Sequence, residues 1–271
     1  MLGLAISIPS SNVFDWSPDD HERPPTLWFR NNHGIISSEG GDGVSYSPDR
    51  SSELGNLSDE DKIKQWTGQG STALNFRQTT AADMPRFETD AADFGSLAFP
   101  NAAKYMDLFE DGGSGSTARF SAQFTILVRC KVTDLSAART VLGDDDEEFI
   151  RFGGGSGQLT NTIRMKINNN AVNFTNGSGN FRTDEYTNFI ITRDESNLCK
   201  LFVYSSSISS NEQGTEWGGE TTQAGEISIS NLGSSDDDTN NFQGFISDVI
   251  VWASELSNEE RELAFNYVRK V

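Results

Sequence analysis

Cysteine and histidine are almost missing from this chain, with two of each in 271 residues. So few cysteines exclude a disulfide framework. Cys130 and Cys199 each lie in an apolar, strand-like run, "FTILVRC" and "CKLFVY", where a free thiol packs as a small hydrophobe. Sequence alone leaves open whether the two form a single bridge. His21 and His33 have no cysteine or second histidine at ligand spacing, which argues against a zinc centre. Positive charge is also scarce: 21 Lys and Arg stand against 40 Asp and Glu, for a net charge of −19. Such a surface repels phosphate backbones and anionic lipid, so neither nucleic acid nor membrane is an expected partner. No apolar run is long enough to span a bilayer. The opening "MLGLAISIPSSNVFDW" lacks the basic residues and the small-residue cleavage site of a secretory signal, so export by that route is not expected. The glycine-rich "GGGSG" lacks the lysine and helix of a phosphate loop.

What is present points to strands. Apolar runs are short, Phe is abundant (18), Pro is sparse (7), and Gly, Asn, Ser, Thr and Asp fill the gaps. From residue 120 onward, Phe124, Ile126, Val128 and Cys130 alternate on one face. "EFIRFG", "NTIRMKI" and "AVNFTN" follow at short spacing, and "NFIITRD" and "CKLFVY" flank "ESNL" as a hairpin. Ile227 and Ile229 alternate in the next run. In "NFQGFISDVIVWASELSNEEREL", the segment "DVIVW" is apolar on consecutive positions, as in a strand covered on both faces. Ser257 and Glu260 form an S-x-x-E capping box. Leu263, Tyr267 and Val271 then recur as an apolar stripe, with Ala264 and Val268 beside them. The sequence therefore predicts an antiparallel two-sheet sandwich closed by one short C-terminal helix near 257–269. Residues 1–22 read as an N-terminal arm, broken by Pro9 and Pro18 yet carrying Leu2, Leu4, Ile6, Ile8, Val13, Phe14 and Trp16. The arm is the candidate anchor on partner subunits, and 23–271 is the sandwich.

Phe242, Gly244, Ile246, Asp248, Val249 and Ile250, followed by Leu256, Ser257, Glu259 and Glu260, resemble the closing strand and helix of concanavalin-A-like, laminin-G-like jelly rolls. "PTLWFRNNHGI", "IKQWTGQGSTALNF", "MPRF", "SLAF" and "NFIITRDESNLCKLFVY" resemble earlier segments of such domains, in the same order. Gly68 departs from an acidic position of that pattern, and Ser205-Ser206 from an Asn-Gly turn. The "MLGLAISI" opening beside this domain resembles small virion proteins of tailed bacteriophages, especially marine ones. These resemblances imply a jelly roll and a place on a virion assembled in the host cytoplasm. The partners implied are other capsid or tail proteins, sister copies of the chain, and a surface glycan.

Chemistry is thinly signalled. The five consecutive acids of "GDDDEEF" cannot form a glycosidase pair on one strand face, because neighbouring residues point to opposite faces. A solvated acidic turn is the expectation there, and no catalytic residue is assigned. Asp236, Asp237, Asp238 and Asn240 in "SSDDDTNN" are candidate Ca²⁺ ligands by oxygen content alone. For Trp217, between glycines in "GTEWGGE" and in an expected loop, simple packing is the first reading and sugar stacking the candidate function. The expected function is a non-enzymatic virion surface protein displaying a lectin-like jelly roll. A carbohydrate-binding module for host glycans is the alternative, and a polysaccharide-degrading enzyme is a third reading.

Overall fold

The computed structural model describes residues 16–30, 33–38, 57, 60–88, 95–101, 103–111, 115–153, 160–176, 181–183, 185–204, 214–235 and 240–269. They form a mostly antiparallel β-sandwich of jelly-roll type with one short C-terminal helix, α1 (Asn258–Arg269).

The first sheet runs in the order β5 (Arg86–Glu88), β6 (Ser96–Phe99), β19 (Gly244–Trp252), β9 (Phe124–Val132), β14 (Thr187–Arg193), β15 (Leu198–Tyr204) and β16 (Thr215–Thr222). The strand β1 (Leu27–Phe29) takes over from β6 along the second half of β19. The second sheet runs β2 (Ile35–Ser37), β3 (Ile63–Thr67), β4 (Leu74–Arg77), β7 (Met106–Glu110), β18 (Asn231–Leu232), β10 (Arg139–Gly143), β11 (Phe149–Phe152), β12 (Thr162–Ile167) and β13 (Asn170–Thr175). A small pair, β8 (Ala118–Phe120) with β17 (Ile227–Ile229), adds its apolar side chains to the core between the sheets. β16 also touches β13 through Gly218 and Thr175, which joins the two sheets along one side.

Alternation dictates the core. Val249 and Val251 on β19, Ile126, Val128 and Cys130 on β9, and Phe189 and Ile191 on β14 all face the second sheet. Of the residues between them, which face outward, Ile250, Leu127 and Ile190 are apolar as well. Register lines up Trp28, Ile250, Leu127, Ile190 and Phe202 across β1, β19, β9, β14 and β15. Ala264, Phe265 and Val268 of α1 cover that row in a second apolar cluster. The consecutive apolar run of β19 is thus a strand buried on both faces, as its sequence predicts.

The helix start also matches its signature. The Ser257 amide donates to Glu260 Oε2 at 2.8 Å, and the Glu260 amide donates to Ser257 Oγ at 3.3 Å. The stripe differs from the expected one. It is centred on Arg261, Ala264, Phe265 and Val268, while Leu263 and Tyr267 are only partly buried and Val271 lies outside the described residues. The reason is Arg261: its guanidinium lies 3.8 Å over the Phe202 ring and donates to Asn258 Oδ1, so the stem of a charged side chain fills an inward position.

Of the arm, residues 1–15, and with them Leu2, Leu4, Ile6, Ile8, Val13 and Phe14, lie outside the described residues. Trp16 packs edge-on against Tyr267 of α1, with ring centroids 6.1 Å apart, and His21 Nε2 lies 2.9 Å from Glu260 Oε1. Residues 16–22 therefore lie against the body of the same molecule. Cys130 faces Thr187 at one end of β14, and Cys199 faces Arg193 at the other. The six residue steps from Thr187 to Arg193 separate them by roughly 20 Å along the strand. That is far beyond disulfide reach, and both thiols are free and buried.

Candidate functional site

The outward faces of the two sheets have opposite characters. That of the first sheet carries an apolar row covered by α1. That of the second carries a row of mostly polar positions assembled from seven separate segments. Register places Gln65 opposite Arg77, Arg77 opposite Asp107, and Asp107 opposite Asn231. Asn231 stands opposite Gly143, Gly143 opposite Phe149, and Phe149 opposite Lys166. Their neighbours along each strand, such as Trp66, Phe76, Met106, Leu108 and Leu232, point into the core. Alternation thus turns the polar set outward.

The row is held by its own hydrogen bonds. Arg77 Nε donates to Gln65 Oε1 at 2.9 Å, and Gln65 Nε2 donates to Thr67 Oγ1 at 2.9 Å. The Arg77 guanidinium stands 5.8 Å from the Phe109 ring centroid, and its Nη2 lies 3.8 Å from Asp111 Oδ1. Asn231 Nδ2 donates to Ser230 Oγ at 2.8 Å and to the Asp144 carbonyl at 3.3 Å. A cavity of about 380 Å³ opens beside Asp107, Phe109, Asp144 and Asn231. A second, of about 600 Å³, shares Ser116 and Thr117 with it and reaches Arg119. The lining mixes a planar amide, carboxylates, hydroxyls and an aromatic edge. Such groups can hold a hydroxyl-rich ligand by convergent hydrogen bonds.

The acidic stretch 144–148 is the turn between β10 and β11. Asp145 Oδ1 accepts from the amides of Glu147 and Glu148 at 2.8 and 3.1 Å, so this carboxylate caps its own turn. Of the candidate Ca²⁺ ligands, Asp236, Asp237 and Asp238 lie outside the described residues. The Asn240 carbonyl accepts from the Thr140 amide at 2.6 Å, so this backbone oxygen already serves a strand contact. Among the described residues, no group of three His, Cys, Asp or Glu side chains is placed to hold a metal ion.

Trp217 requires a correction. It stands on strand β16 and not in a loop, it is 2% exposed, and its ring lies 4.9 Å from that of Phe181 in the core. The flanking glycines that suggest a loop serve strand contact instead. Gly219 has φ +109°, and a Cβ there would fall 2.2 Å from the Asn173 carbonyl oxygen of β13. None of the row from Gln65 to Lys166 is singled out by the sequence, because no motif or period links those positions before the strands pair.

A third cleft, of about 630 Å³, lies beside α1 and is lined by Asp194, Lys200, Phe202, Glu216, Glu255 and Arg261. Its charges largely engage one another: Lys200 Nζ lies 3.8 Å from Glu216 and 3.5 Å from Glu220, which also flanks it. Burial, then Asp194, pushes the Glu255 carboxyl up, while burial pushes the Arg261 guanidinium down.

The Laminin G 3 family model, described as the Concanavalin A-like lectin/glucanases superfamily, matches residues 110–260, more than half of the chain. The chain belongs to this superfamily. No curated protein matches it in sequence. Solved structures share the concanavalin A-like fold at low identity. The ligand-binding domain of botulinum neurotoxin serotype D, in complex with N-acetylneuraminic acid, aligns at a TM-score of 0.55 and 11% identity, covering 90% of this chain and 50% of that one. A GH54 α-L-arabinofuranosidase, soaked with a cyclic sulfate inhibitor, aligns at a TM-score of 0.62 and 12% identity, covering 92% and 63%. The chain thus spans between half and under two-thirds of the length of these two structures.

Proposed function

We propose that this chain is a non-enzymatic, lectin-like module that binds a saccharide across the outward face of the second sheet, and that it is displayed on the surface of a tailed-phage virion. One observation carries the binding reading: the Gln65–Arg77–Asp107–Asn231 row beside its 380 Å³ cavity. Membership in a superfamily named for lectins supports it. So does a structural neighbour that is in complex with an acidic sugar. The virion setting rests on the resemblance of the N-terminal sequence. In that setting the apolar residues of 1–15 anchor the module on neighbouring virion proteins or sister copies.

Spacing around Asp107, taken with its cross-strand partners and Asp111, supports the non-enzymatic reading. A retaining glycosidase needs two carboxyl groups about 5–5.5 Å apart, close to the distance between directly opposed residues of paired strands. The cross-strand neighbours of Asp107 are Arg77 and Asn231, not a second acid. Asp111 is four residues further along, roughly 13 Å away at strand rise, outside even the wider inverting range of about 6.5–9.5 Å.

The test is a glycan array followed by titration. Asn231→Ala and Asp107→Ala should each weaken binding at least tenfold, about 1.4 kcal/mol, with the melting temperature held. Wild type should release no reducing ends from bound polysaccharide. Sugar release that Asp107→Asn abolishes would replace this reading with a hydrolase using Asp107 and Asp144, which line the same cavity. Co-purification of the chain with assembled virions, at fixed stoichiometry, tests the setting.

A further inference from the structure

The two cavities beside the polar row follow one another along β7. Asp107 and Phe109 line the smaller, and Glu110 and Asp111 line the larger. Asp107 and Asp111 are roughly 13 Å apart at strand rise, which is longer than one pyranose ring. Between the cavities lies the segment that leads into β8. Its Ser116 and Thr117, both partly exposed, line the two cavities alike. The volumes of about 380 and 600 Å³ each suffice for a small ligand on their own. A ligand of one sugar ring would fill one cavity and leave the other empty.

The shared wall is fixed in place. Gly115 pairs with Phe109 in an antiparallel bridge, and the Ser116 amide donates to the Leu108 carbonyl at 2.7 Å. The wall continues into β8, which pairs with β17. Arg193 is 0% exposed and donates to three backbone carbonyls: Nε to Ala122 at 2.7 Å, Nη2 to Phe120 at 3.0 Å and Nη1 to Gly225 at 2.7 Å. One buried guanidinium thus ties the end of β8 to the segment before β17. A wall held in this way is preorganised, so a ligand lying against it avoids the cost of ordering a loop.

Charge narrows the ligand. Asp107, Asp144, Glu110 and Asp111 line the cavities. The one cation among the described lining residues, Arg119, has its Nη1 2.8 Å from Glu226 Oε1. A sugar bearing carboxylate or sulfate would meet like charges along the whole path, on a chain of net charge −19. Sugar hydroxyls can instead donate to those carboxylates.

We propose that the saccharide site runs through both cavities across the Ser116–Thr117 wall, so that its preferred ligand is a linear oligosaccharide without acidic groups, and not a single terminal sugar. The inference rests on the saccharide-binding reading above and narrows its ligand class.

Chain length is the test. Gluco-, manno- and xylo-oligosaccharides, each from monomer to hexamer, are titrated by calorimetry, with tetragalacturonate as the acidic probe. In the series that wild type binds, the tetramer should bind at least tenfold more tightly than the monomer, and tetragalacturonate at least tenfold more weakly than that tetramer. Glu110→Ala and Ala73→Gln alter exposed positions of the larger cavity. Each should bring the tetramer close to the monomer in affinity, with monomer binding and melting temperature held. Asn231→Ala should weaken monomer and tetramer alike. Equal affinity for monomer and tetramer would overturn the two-cavity site and leave the saccharide reading standing. So would a tetramer preference that neither Glu110→Ala nor Ala73→Gln reduces, or tetragalacturonate bound as tightly as the neutral tetramer. Binding of no glycan, neutral or acidic, on the array or in these titrations would overturn both.

Discussion

Glu260 joins three parts of the molecule through one carboxylate: it caps α1 through Ser257, begins the helix, and receives His21 from the segment before β1. Burial alone would raise its pKa, but the Ser257 hydroxyl and amide, together with His21, outweigh burial and hold it below the usual value of 4.5. Folding therefore favours the ionised form. The stability this contributes is present above pH 4.5 and is lost as pH falls through the lower folded value. Melting temperature against pH should show that loss in wild type and a flatter profile in Glu260→Gln. Ser257→Ala should cost about 1 kcal/mol by urea unfolding, as loss of an N-cap does. Trp217 makes the opposite kind of contribution, through burial. Trp217→Ala should cost about 3–5 kcal/mol as a large-to-small core change. Its saccharide affinity, measured well below its own melting temperature, should match wild type.

Among elements, those with a local signal were legible in the sequence, and those defined by pairing were not. β9, the β14–β15 hairpin, β19 and the cap of α1 each announce themselves within a dozen residues, through period-two alternation, a polar connection or an S-x-x-E box. β16 was obscured because its glycines mimic a loop, whereas Gly219 allows β16 to pass close to β13. The proposed binding face was illegible for a different reason: positions 65, 77, 107, 143, 149, 166 and 231 become neighbours only once seven strands are in register. The helix has an element-scale role that its length of 12 residues understates, since it covers an apolar row that runs across five strands. Phe265→Ala should cost about 3–5 kcal/mol in chemical denaturation. A chain ending at Glu255 should fail to stay monomeric, because Trp28, Leu127, Ile190, Phe202 and Ile250 would lie open in one row.

At the scale of the whole molecule, the sandwich divides its labour between its sheets. The apolar row of the first is covered by α1 and Trp16, and the second carries its mostly polar row beside two cavities. The two thiols lead to a further consequence. Both are fully buried, and burial pushes them up, that of Cys199 to about 12. A maleimide reagent added to the native protein meets no thiolate, so each labelling event marks a molecule that has opened. The two sites lie on strands either side of β14. Mass spectrometry that finds singly labelled chains would date a partial opening, and an all-or-none pattern would show the sheet coming apart as a unit. Without any engineered probe, the protein keeps its own time record of unfolding.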